Sequence, residues 1–141
     1  MLPARDYDAF YRGLCRVLAM VGERAKRVIL YATWGRKAGS PELAEQGWTH
    51  ESMTQLLAQG YARAAQAKGL EVSYVGLAFQ RALQADGALE LYDPDMSHPS
   101  YTGSCLAALV HYKAVFGALP GSADSLGLDE RVLAALMAAA E

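Results

Sequence analysis

The feature that most constrains the fold is an uninterrupted run of apolar, aromatic and β-branched residues from Val28 to Trp34. Apolar and polar side chains do not alternate along it, which is typical of a strand covered on both faces in the centre of a parallel sheet. Gly35 ends the run, and residues 35–48 are predicted to form a surface loop. This loop follows the carboxyl end of the strand, which is the edge where open α/β sheets bind their ligands.

A helix and a second strand come next. Thr49 is a suitable N-cap for a helix that Gly69 closes. Residues 70–75 then alternate, with Glu71 and Ser73 on a polar face, and this pattern predicts a strand near an edge of the sheet. The strand, the helix and the second strand together form a βαβ unit.

Helical periodicity accounts for most of the remaining chain. A first helix is predicted after Asp6, a short helix over 77–83, a long helix after Pro99 and a last helix from about Asp129. The long helix carries an apolar stripe made of Tyr101, Cys105, Leu109, Tyr112 and Phe116. Two strands are too few for a sheet that stands alone, so the pattern predicts the second half of an α/β domain. All residues, 1–141, are expected to form this single domain.

The composition argues against several classes of function. The net charge is −2, the pI is near 5.9 and no basic stripe is visible, so nucleic acid is not an expected partner. No apolar run is long enough to span a membrane, and residues 1–6 do not begin a secretion signal. A cytoplasmic location is therefore expected by default, although a truncated N-terminus would hide such a signal.

Neither a metal nor a cofactor is expected. Cys15 and Cys105 lie in apolar helical patterns and are predicted to be buried thiols. His50 is predicted to be exposed in the first turn of its helix, and His111 to lie on the polar side of the long helix. The spacing of these two residues and His98 does not indicate a zinc site.

The strongest candidate for chemistry is the loop 91–100, in which Asp95 and His98 stand three residues apart between two prolines. Proline fixes φ, so the loop is expected to be rigid. A histidine held beside a carboxylate can act as a general base, because the carboxylate fixes its tautomer and stabilises the imidazolium. The alternative is a turn aspartate that caps the next helix, with the histidine bonded to backbone. Asp93 is a rival for the acid role.

Several blocks of this chain, in their order and spacing, resemble the C-terminal part of the SGNH hydrolases, the GDSL-like esterase and lipase superfamily, and within it an uncharacterised bacterial branch. The resemblance covers the chain from about the first helix to Gly121. The blocks are Ile29–Trp34, Met53-Thr54 with Gly60-Tyr61 and Ala64-Ala65, Val75–Phe79, Leu91-Tyr92 with Asp95–Ser100, and Gly103–Ala108.

This resemblance implies an α/β fold, a three-layer α/β/α sandwich with a parallel sheet of about five strands (the flavodoxin-like SGNH hydrolase fold), incomplete here at its N-terminus. It also implies that His98 is the base that deprotonates a serine hydroxyl and that Asp95 orients it. The implied substrates are small-molecule esters, often acetylated carbohydrates. Trp34 and Trp48 flank the loop above the strand and could line an acyl or sugar pocket, or could simply pack; Trp34 is the candidate substrate-binding residue.

The chain departs from the family pattern in one important respect. The Gly-Asp-Ser or Gly-Asn-Ser motif that carries the family's nucleophile is missing, as are the Gly and Asn blocks that complete its oxyanion hole. Ser97, Ser100 and Ser104 lie close to His98 in sequence, but none has the surroundings of a nucleophile, and Ser100 is better explained as a helix cap. Three hypotheses follow: the C-terminal portion of an ester hydrolase, a non-catalytic binding or self-assembly module whose exposed sheet edge is covered by a second copy, or a site whose serine comes from another chain.

Overall fold

The computed structural model describes residues 3–141, apart from the side chain of Glu23. Met1 and Leu2, which enter the prediction about a secretion signal, lie outside the described residues. The chain forms α1 (Tyr7–Val21), a 3-10 helix (Gly22–Arg24), β1 (Ile29–Ala32), α2 (Pro41–Gln46), α3 (His50–Lys68), β2 (Glu71–Tyr74), α4 (Val75–Ala85), α5 (Tyr101–Phe116), a second 3-10 helix (Asp124–Leu126) and α6 (Glu130–Ala140).

The two strands lie parallel, with Leu30 opposite Val72 and Tyr31 opposite Ser73, and α3 connects them. The predicted βαβ unit is therefore confirmed. Within residues 3–141 the sheet has these two strands, so the outer edge of β1 has no strand beside it. A strand of this apolar character is usually paired on both sides, and the open edge fits a parallel sheet of which this chain holds part.

Helices cover both faces of this small sheet. On one face, Leu30 packs with Ala64 and Ala65 of α3, and apolar residues of α1 lie against this cluster. On the other face, Tyr31 meets the His111 ring of α5 edge-on, with the ring centroids 4.2 Å apart. Because successive side chains of a strand point to opposite faces, this arrangement gives the three layers of an α/β/α sandwich.

The attachment of α1 to α3 depends on its aromatic residues. In the described chain no residue of α1 is fully buried. The Arg63 guanidinium lies 3.9 Å from the centroid of the Tyr7 ring, and the Phe10 ring meets Tyr61 edge-on at 4.9 Å. Cation–π and aromatic contacts of this kind each contribute about 0.5–1.5 kcal/mol. Each of these two contacts therefore adds only modestly to the packing of α1 against α3.

The main core lies beside the carboxyl end of the strands, where α4, α5 and α6 pack together. Its most completely buried large side chains are Val75, Phe79, Leu91, Leu106 and Leu136. The Trp34 indole stacks on the Phe79 ring in the same cluster, with centroids 4.6 Å apart and planes inclined by 6°. The loop after β1 and the segment before α5 are thus anchored in one core.

The structure differs from the sequence prediction in two elements of this fold. The predicted loop 35–48 contains the helix α2, which has Pro41 in its first turn and Gly47 in the left-handed conformation after its end. Ser73 was expected on a polar face, but α5 packs against β2 and leaves Ser73 only 1% exposed. In residues 3–141 no helix is both long enough and apolar enough to cross a membrane.

Candidate functional site

Residues 92–99 form a short hairpin. Tyr92 and Pro99 form an antiparallel bridge, and the Asp93 amide donates to the His98 carbonyl over 3.0 Å. The Met96 amide donates to the Asp93 carbonyl, also over 3.0 Å, and Met96 has a φ of 60°. This left-handed residue lets the chain reverse within four residues, so that Asp95 and His98 come to lie on the same side of the turn.

Asp95 and His98, the two predicted site residues, are in direct contact. His98 Nδ1 lies 2.5 Å from Asp95 Oδ2, and the second carboxylate oxygen accepts the amides of Ser97 and His98, each over 2.9 Å. The His98 side chain is 76% exposed. No described residue bonds its Nε2, and this is the atom that a serine hydroxyl would approach in a general-base mechanism.

The surroundings of Asp95 keep it ionised. The hydrogen bond from the His98 side chain, followed by those from the backbone amides of His98 and Ser97, lowers the pKa of Asp95 to about 2. A carboxylate that accepts several hydrogen bonds is stabilised in its charged form. An ionised Asp95 can therefore hold a proton on His98 Nδ1, which leaves the lone pair on Nε2.

Two bonds from the loop after β1 hold the tip of this hairpin. Trp34 Nε1 donates to the Ser97 carbonyl over 3.0 Å, and the Lys37 amide donates to the Met96 carbonyl over 2.9 Å. Trp34 is only 9% exposed. The predicted contact between Trp34 and a substrate stays a prediction, while the observed hydrogen bond gives this residue a part in holding the Asp95–His98 turn.

The base of the hairpin is held by Tyr92. Its hydroxyl donates to the Gly35 carbonyl over 2.7 Å and lies 3.2 Å from His50 Nδ1. Burial raises the pKa of Tyr92, so the phenol keeps its proton. The prediction that His50 is exposed is wrong, because its ring is partly buried and its Nδ1 also lies 3.0 Å from the Arg36 carbonyl.

The other polar residues near the turn have structural partners. Ser100 caps α5 as predicted, since its hydroxyl accepts the Gly103 amide over 3.1 Å and donates to the Glu90 carbonyl over 2.6 Å. His111 packs against Tyr31 and is partly buried, which lowers its pKa. Among residues 3–141, no three His, Cys, Asp or Glu side chains form a group that could hold a metal ion.

Sequence reasoning did not assign a role to Tyr92, Lys37 or His50. Tyr92 offered a signal, because a tyrosine that ends an apolar stretch is expected to be buried and its hydroxyl then needs an acceptor. Lys37 holds the hairpin through its backbone amide, a group that nearly every residue type has, so its identity gave no signal. The position of His50 depends on how the loop 35–48 folds, and this loop has no periodic pattern.

Comparisons with known proteins place this geometry in context. No protein-family model matches the chain, and no curated protein matches it. A DUF4886 family protein from Bacteroides uniformis matches 98% of the chain with a TM-score of 0.77 and 19% sequence identity. A candidate SGNH hydrolase from Slackia heliotrinireducens matches 80% of the chain with a TM-score of 0.67 and 32% identity. The chain spans 56% of the first protein and 59% of the second.

Proposed function

Because this chain is related to the SGNH hydrolases, in fold and along most of its length in sequence, we propose that it carries the acid–base part of a serine ester hydrolase. The observation that carries the proposal is the contact between His98 Nδ1 and the Asp95 carboxylate, with Nε2 directed away from it. In this proposal residues 1–141 form a single domain, the C-terminal portion of such an enzyme.

His98 would accept the proton of a serine hydroxyl at Nε2 while the serine oxygen attacks the ester carbonyl. Asp95 would stabilise the resulting imidazolium, which then returns the proton to the leaving alcohol. The substrate class is a small-molecule ester, such as an acetylated carbohydrate. The serine comes from a polypeptide segment outside this chain, since the Gly-Asp-Ser type of motif is missing from its sequence.

The missing elements predict how the isolated chain behaves. A positioned general base contributes about 10²- to 10⁴-fold to a rate, but the covalent route needs the serine and the oxyanion donors are worth a further 10²–10³ or so. The chain alone should therefore give slow hydrolysis of a small aryl acetate, and a fluorophosphonate probe should not label it.

The test compares His98→Ala with His111→Ala, a matched variant that also removes one imidazole but is far from Asp95 in sequence. We expect the slow aryl acetate hydrolysis to disappear in His98→Ala and to persist in His111→Ala. Equal rates in both variants would contradict the role of His98. Labelling by the fluorophosphonate probe would contradict the placement of the nucleophile outside this chain.

A second candidate function is self-assembly, and the open edge of β1 favours it. Two exposed apolar side chains lie near this edge: Tyr31 of β1 is 40% exposed, and Val17, which lines a cavity together with Leu30 of β1, is 56% exposed. Beside β1 a cavity of about 360 Å³ is lined by Phe10, Leu14, Val17, Leu30 and Tyr61, among others. Unpaired edges with apolar surroundings tend to recruit another chain, and the proposed occupant is a second copy.

Size-exclusion chromatography with light scattering tests this candidate. A dimer that dissociates in Val17→Glu, and that protects the amides of β1 from hydrogen exchange, would support self-assembly. A monomer at all accessible concentrations would exclude it and would leave the hydrolase proposal unaffected.

A further inference from the structure

The hairpin that carries Asp95 and His98 is mostly exposed, so few packing contacts fix its position. Its tip is bonded to the loop after β1, as described above, and at its base the side chains of Leu91 and Tyr92 are buried. Tyr92 is 4% exposed, and its ring meets Phe79 edge-on with the centroids 5.7 Å apart. Its hydroxyl reaches the Gly35 carbonyl, in the same loop that bonds the tip.

His50 restricts the Tyr92 hydroxyl further. The single proton of the phenol is donated to the Gly35 carbonyl, so the hydrogen between Tyr92 and His50 must belong to His50 Nδ1. The same Nδ1–H faces the Arg36 carbonyl at 3.0 Å. Because a carbonyl oxygen only accepts, His50 Nδ1 carries a hydrogen, and Nε2 is buried without a partner among the described residues.

Backbone contacts connect Tyr92 to the Asp95–His98 pair. Tyr92 is bridged to Pro99, and the next residue, Asp93, bonds the backbone of His98. A displacement of the Tyr92 ring would shift the strand that carries His98 relative to Asp95. Since a hydrogen bond weakens steeply with angle and distance, a small shift of this kind would weaken the contact between the two side chains.

We propose that Tyr92 is a positioning residue for the Asp95–His98 pair and that His50 acts through Tyr92 by fixing the direction of its hydroxyl. The inference rests on the proposed function, in which this pair handles the proton. Neither residue touches the reacting atoms. Their contribution is to keep the distance between His98 Nδ1 and Asp95 Oδ2 short while the side chains stay open to solvent.

The experiment measures the Asp95 pKa by carbon-detected NMR and the exchange of the His98 Nδ1 proton with solvent, on the whole chain. In Tyr92→Phe we expect the Asp95 pKa to rise by roughly one pH unit toward its ordinary value and the Nδ1 proton to exchange about tenfold faster. Tyr101→Phe is the matched control, because it removes another tyrosine hydroxyl that donates over 2.7 Å to a carbonyl, that of Leu126. It should change neither quantity.

Two variants of His50 test how much this residue contributes to the positioning of the Asp95–His98 pair. His50→Asn keeps an N–H donor near the Nδ1 position and should preserve both measured values, whereas His50→Ala removes the donor and should reproduce part of the Tyr92→Phe effect. These comparisons hold even if Tyr92→Phe proves too unstable to study. If Tyr92→Phe and His50→Ala leave both quantities as in the wild type, the inference is wrong.

The same measurements separate this inference from the proposed function. An ordinary Asp95 pKa in the wild-type protein would mean that the pair is not formed, and would count against the hydrolase proposal itself. A low Asp95 pKa that both variants retain would overturn only the role assigned to Tyr92 and His50.

Discussion

Replacement of Gly103 by alanine would probe the close approach of α5 to Leu91, at the base of the hairpin. Gly103 lies in the first turn of α5, directly after the hairpin. A Cβ atom there would lie 2.2 Å from the Leu91 carbonyl oxygen and 3.1 Å from Phe79 Cζ. The Leu91 oxygen also accepts the Ser100 amide over 3.0 Å, so Leu91 cannot retreat without lengthening that bond.

The magnitude follows from two opposing terms. Alanine in place of glycine in a helix stabilises by roughly 0.5–1 kcal/mol. Against this, overpacking a core costs about 1–3 kcal/mol, and weakening one backbone hydrogen bond adds about 1 kcal/mol. We therefore expect Gly103→Ala to lower the free energy of unfolding by about 1–3 kcal/mol, equivalent to a melting temperature lower by roughly 4–12 °C.

Gly13→Ala is the matched control for this prediction. Gly13 lies within α1, and no atom lies within 4 Å of the position its Cβ would take. Only the higher helix propensity of alanine then affects stability, and we expect the free energy of unfolding, measured in urea, to rise by about 0.5–1 kcal/mol. Equal stabilisation by Gly103→Ala would refute the argument that close approach of α5 to Leu91 constrains this glycine.

Two further predictions concern stability. Ser73→Ala should raise the free energy of unfolding by about 1 kcal/mol in urea unfolding, because the Ser73 hydroxyl is buried without a partner among the described residues; a loss of stability would show that it has one. The second prediction concerns acid unfolding. Because the folded state lowers the pKa of Asp95 from 3.8 to about 2, its carboxylate stabilises the folded state fully at pH values above 3.8. This contribution to the free energy of unfolding is lost as the pH falls through about 2. Unfolding followed from pH 5 to pH 2 should therefore show a steeper loss for the wild type than for Asp95→Asn, and parallel curves would contradict the hydrogen bonding of Asp95.

The starts of α1, α3 and α6 were predictable because they depend on local side chains. Asp6 accepts the Ala9 amide, Thr49 and Ser52 bond each other's backbone amides, and Asp129 accepts the amides at the start of α6. Such capping needs a short polar side chain before an apolar periodic segment, and this pattern is present in the sequence. The apolar run of β1 was equally informative, since burial on both faces removes alternation.

The polar pattern of β2 was misleading for a physical reason. The alternation of Glu71 and Ser73 with apolar residues predicted a polar face. Glu71 is exposed, but Ser73 lies beneath α5, where its small side chain fits. A serine is small enough to be buried at a cost of about 1–3 kcal/mol, so its polarity alone does not decide its exposure.

For the candidate site, the contact between Asp95 and His98 was foreseeable, because three residues separate them in a proline-bounded turn. What holds the turn was not foreseeable. The bonds from Trp34, Lys37 and Tyr92 span more than fifty residues of sequence and depend on how the loop after β1 folds. Long-range contacts of this kind have no local signature in a single sequence.

The bonds that secure the hairpin start from the loop after β1 and from the segment around Tyr92, so they are all internal to residues 34–100. These bonds therefore hold the Asp95–His98 pair in place before any other polypeptide is present. A polypeptide that brought a nucleophile to this pair would need to order only its own atoms, because the hairpin that carries Asp95 and His98 would lose little conformational entropy on binding.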